Sequence, residues 1–203
     1  MKSHNDSWSV LEGTGRPLVT LLHLRDRFVL PVGGEVPRLV PDVEPDGSTH
    51  ATAVAADVEA AWNAAWNAVE TTDHTDLSMT STEWLVTLPH TEAIRELLQA
   101  DAGDADAWIE NRKLKEMNAL RHSADIRDDA RVRRSYVHHI VERAESEIGK
   151  PLATFDLRIQ VLPVEGVWFR QPSSTRILMS EILRNSEDDL ARKLLPVIKN
   201  LGQ

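Results

Sequence analysis

The strongest constraint in this chain is a helical pattern that stops cleanly and hands over to a strand pattern. Ile126, Ala130, Val137, Ile140, Val141, Ala144 and Ile148 recur at the helical period, interrupted only by Arg133. Gly149 and Pro151 then supply a left-handed cap and a stop. Phe155, Leu157, Ile159 and Val161 alternate with polar residues, which places them on one face of a strand. A helix with one apolar stripe and a strand with one apolar face are each buried only against another layer.

The same reading extends outward. Pro17–Leu24 and Arg27–Val32 are dense in leucine, valine and phenylalanine and read as paired strands around an Arg25-Asp26 turn. Val54, Val58, Trp62, Trp66 and Val69 mark a helix capped by Thr49 or Thr52, and Thr82–Leu88 reads as a short strand. Thr91 caps a helix carrying Ile94, Leu97 and Leu98, and Asp101–Asp104 reads as a polar break before another helix to Arg121. Val167–Arg170 reads as a strand turned back by Glu165-Gly166, while Arg176–Met179 fits a strand or a helix start. Ser186 caps a last helix that Pro196 is expected to kink or shorten. The expected fold class is α+β, an antiparallel sheet of about four to six strands with helices packed mainly on one face. One domain is expected over 1–203, with 1–14 a flexible arm unless Trp8 anchors it and 33–48 a Pro/Gly loop.

Charge divides the chain more sharply than its net value of −9 suggests. Residues 39–110 hold 15 acidic side chains against Arg95 alone, a local balance of −14, flanked by +1 over 1–38 and +4 over 111–203. Net acidity argues against a nucleic-acid partner, which needs cationic surface for phosphates. With no cysteine in the chain, thiolate catalysis and cysteine-ligated metals are excluded. No run of about 18 apolar residues is present, so no membrane span is expected. The opening residues carry no apolar stretch of a secretory signal, and the expected location is cytoplasmic. Arginine outnumbers lysine 17 to 6, a bias that fits a high-GC bacterial genome.

Three groups of side chains carry candidate chemistry. His138, His139 and Glu142 lie on the 126–148 helix, where His138 and Glu142 share a face and match imidazole–carboxylate ligation of a divalent metal. Two ligands do not make a site, and the third would come from His122, His90 or His74. The bland alternative is a solvated ion pair. Arg127, Arg131 and Arg134 form a cationic stripe on the same helix, suited to an anion, an acidic partner or the chain's own acidic segment. Trp62 and Trp66, each followed by asparagine, offer a flat platform for a small ligand, or more simply a core pair. Ser173-Ser174-Thr175-Arg176 suits either a phosphate contact or a turn.

The leading expectation is a non-enzymatic interaction module that meets a basic protein partner with the acidic segment 39–110. It needs no cofactor. The alternatives are a metal-dependent hydrolase at His138, His139 and Glu142, and a small-ligand binder at Trp62 and Trp66.

Overall fold

The computed structural model describes residues 2–5, 8–32, 34–46, 56–71, 88 and 92–202, and of these only the backbone at 2–5, 124–131, 133 and 134. The expected caps at Thr49 and Thr52 and the expected strand Thr82–Leu88, Leu88 apart, lie outside the described residues. The chain gathers into two compact units, one of residues 1–14, 114–162 and 166–203, the other of residues 15–113 and 163–165.

The first unit is built on a five-stranded sheet of β1 (Lys2–Asn5), β2 (Trp8–Thr14), β3 (Phe155–Leu162), β4 (Phe169–Ser173) and β5 (Arg176–Ser180). Its spatial order is β1-β2-β3-β5-β4. The outer pairs β1–β2 and β4–β5 are antiparallel, whereas β2–β3 and β3–β5 are parallel. The α+β class therefore holds, but the expected antiparallel sheet is corrected to a mixed one. Strand direction depends on how long connections return to the sheet, and residue alternation carries no trace of that.

One face of the sheet carries the alternating residues anticipated for β3, with Phe155, Leu157 and Ile159 buried beside Trp8 and Val10 of β2 and Ile177 and Met179 of β5. Burial of Trp8 anchors the segment that the sequence leaves as an arm. Two helices supply the other half of this core, Ala124–Ile148 through Val137, Ile140, Val141 and Ala144, and Glu187–Leu201 through Leu190, Leu194, Val197 and Ile198. The first ends at Gly149, whose φ of 77° is the left-handed cap that glycine adopts without strain. The second starts at Ser186, whose hydroxyl accepts from the Asp189 amide, and it runs through Pro196 to Leu201. Between them Ser180 Oγ accepts from the amides of Leu183 and Trp168, capping the single turn Glu181–Arg184 and tying it to β5.

In the second unit the expected hairpin is replaced by a helix, α1 (Arg16–Arg27), followed by α2 (Ala56–Thr71) and the start of the long helix α3 (Glu92–His122). Pro17 sits in the first turn of α1, where its missing amide costs nothing. Residues Leu18 to Leu24 and Arg25 are all buried, so α1 is covered on every side. A helix of that kind has no polar face, its period disappears from the sequence, and apolar density alone resembles a strand. Arg25-Asp26 is consequently no turn but a clamp at the end of α1. The Arg25 guanidinium donates to the carbonyls of Val36 (2.6 Å) and Pro37 (2.9 Å), and Asp26 accepts from the Leu39 amide (2.8 Å). The break expected at Asp101–Asp104 is also absent, since α3 runs unbroken through it. The helices of the first and last stretches that follow α3 are named α4 (Ala124–Ile148), α5 (Glu181–Arg184) and α6 (Glu187–Leu201).

Past the end of α1, Val29 adopts φ 49° and is 53% exposed. The Leu30 amide reaches back to the Arg25 carbonyl (2.9 Å), the closing bond of a helix cap that normally places glycine at the left-handed position. A β-branched residue there is strained and buries little in return. Val29→Gly is expected to raise unfolding stability by roughly 0.5–1 kcal/mol; a loss measured by urea denaturation would show that the Val29 side chain contributes packing.

Candidate functional site

The acidic segment meets its first cations within its own unit. Arg16 pairs with Asp106 (2.8 Å) and Glu110 (2.9 Å), and Arg27 pairs with Asp104 and lies 3.6 Å from Asp101. Partial burial works against charge on Arg16, but the hydrogen bonds and charges of Asp106 and Glu110 overcome it and raise its pKa above the ordinary arginine value. Arg27 is raised likewise, burial being outweighed by Asp104 first and then Asp101. Glu110 is held below the usual carboxylate range by the hydrogen bond from Lys113 and then by Arg16. The expected mate for the acidic segment was the stripe Arg127, Arg131 and Arg134, whose side chains lie outside the described residues. Arg16 and Arg27 take a share of that role, and the strand reading of 17–32 concealed that they share a helix.

At the centre of this contact sits a buried pair that sequence reasoning missed. His23 Nδ1 lies 2.9 and 3.0 Å from the two carboxylate oxygens of Asp101, with the side chains 4% and 0% exposed. The Trp108 ring meets His23 edge-on at 6.1 Å between centroids. A carboxylate on the Nδ1 side is the arrangement that orients an imidazole in acid–base catalysis. Burial of both groups instead makes this pair a means of docking α3 on α1.

The histidine cluster of α4 is solvated. His138 Nε2 lies 3.2 Å from Glu142 Oε1, the two side chains 46% and 60% exposed, and the imidazole packs near Trp8. His139 turns to a different carboxylate, with Nδ1 3.7 Å from Glu187 Oε1 on α6. Adjacent residues on a helix point about 100° apart, so the two imidazoles do not converge. Among the described residues no group of three metal-ligating side chains assembles. His122 places Nδ1 2.8 Å from the Asn118 carbonyl, and His74 and His90 lie outside the described residues.

Trp62 and Trp66 stack on each other at 5.2 Å between centroids and are 1% and 3% exposed. Trp62 Nε1 donates to the Leu21 carbonyl (3.0 Å), joining α2 to α1, whereas Trp66 Nε1 is buried and has no hydrogen-bond partner among the described residues. Ser174 and Thr175 form the turn between β4 and β5, and Arg176 is buried, donating to Gln160 Oε1 (3.0 Å). A second ion pair that the sequence does not reveal joins Arg184 to Glu12 in bidentate fashion, at 2.7 and 2.8 Å. In the same unit Glu147 is held below the usual carboxylate range by hydrogen bonds from Lys199 and then Arg143.

These geometries separate structural from surface carboxylates. Asp101→Ala is expected to cost about 3 kcal/mol, because His23 and Arg27 lose a desolvated partner, while Asp106→Ala stays within about 1 kcal/mol. Equal losses in chemical denaturation contradict the assignment. Trp62→Phe is expected to cost roughly 1 kcal/mol more than Trp66→Phe, since only Trp62 gives up a hydrogen bond; the reverse order sinks that reading. No protein family model, curated protein or solved structure matches this chain.

Proposed function

We propose that this protein is a non-enzymatic interaction module that uses exposed carboxylates of the 39–110 segment to meet a basic protein surface. The observation that carries the reading is the division of the acidic charge within the second unit. Asp101, Asp104, Asp106 and Glu110 are engaged by α1, whereas Asp42, Glu44, Asp57 and Glu59 are exposed. Arg95 is the single base in the segment and lies 3.7 Å from Glu92. Among the described residues of the segment, the exposed carboxylates that α1 does not match are Asp42, Glu44, Asp57 and Glu59 before α3 and Glu92 and Glu96 at its start. Charge of one sign accelerates encounter with a cationic surface and selects against anionic ones. Asp57 and Glu59 also favour the first turn of α2 through the helix dipole, a contribution of a few tenths of a kcal/mol that binding does not require.

The test is binding of a lysine-rich peptide at rising ionic strength. Affinity is expected to fall steeply between about 50 and 300 mM salt. Asp57→Asn/Glu59→Gln is expected to weaken it about fivefold more than Glu116→Gln/Asp188→Asn, which removes the same charge from the first unit. Equal effects of the two double variants, or affinity indifferent to salt, refute the proposal.

A further inference from the structure

We draw no further inference here: the strongest candidate, the side-chain cluster of Arg158, Arg170 and Arg176 on the face of the five-stranded sheet turned away from α4 and α6, carries none, because nothing in the structure shows what covers that face.

Discussion

A carboxylate taken wholly out of water is stable only with partners, and the placement of Asp101 organises the second unit. Its two oxygens meet His23 Nδ1, and Arg27 stands 3.6 Å away. Desolvation makes the pair costly to break rather than a large net gain. Its effect is to fix how α3 lies on α1. Arg16 then falls opposite Asp106 and Glu110, and Trp108 falls against His23. The turn of α3 that looks like a break in the sequence is the turn that docks it.

Fixing one face of a helix also determines which face remains. With Ile94, Leu98, Asp101, Ala105 and Ile109 buried, α3 presents Glu96, Ala100 and Gly103 outward. The acidic residues therefore have two fates. Those on the α1 side are matched by arginines at short range. Those at Asp42, Glu44, Asp57 and Glu59 face water, where they act at the distance of a Debye length on whatever approaches. The average charge of the chain describes neither group.

What was legible in the sequence was what local chemistry dictates. The α4 stripe, the Gly149 cap, the alternation of β3 and the Ser186 cap each lie within one element and announce it. The core role of Trp62 and Trp66 followed from their spacing with Val69. What was hidden depends on distant residues. Asp101 reads as a solvent marker because its partner is His23, 78 positions away. The buried helix α1 has no polar face, so its leucines show density without period. The parallel pairing of β2 with β3 is likewise invisible, since a long stretch of chain lies between them. The nominated His138 and His139 sit on the expected helix, but neighbouring positions on a helix send them to Glu142 and Glu187 separately.

Hydrogen exchange along α3 measures the central claim most directly, namely that the buried His23–Asp101 pair holds this helix on α1. In Asp101→Ala, amides from Leu98 to Ile109 are expected to lose much of their protection. Those of β3 and β5, in the other unit, are expected to keep theirs. Protection over Leu98–Ile109 that the substitution leaves unchanged would contradict the account.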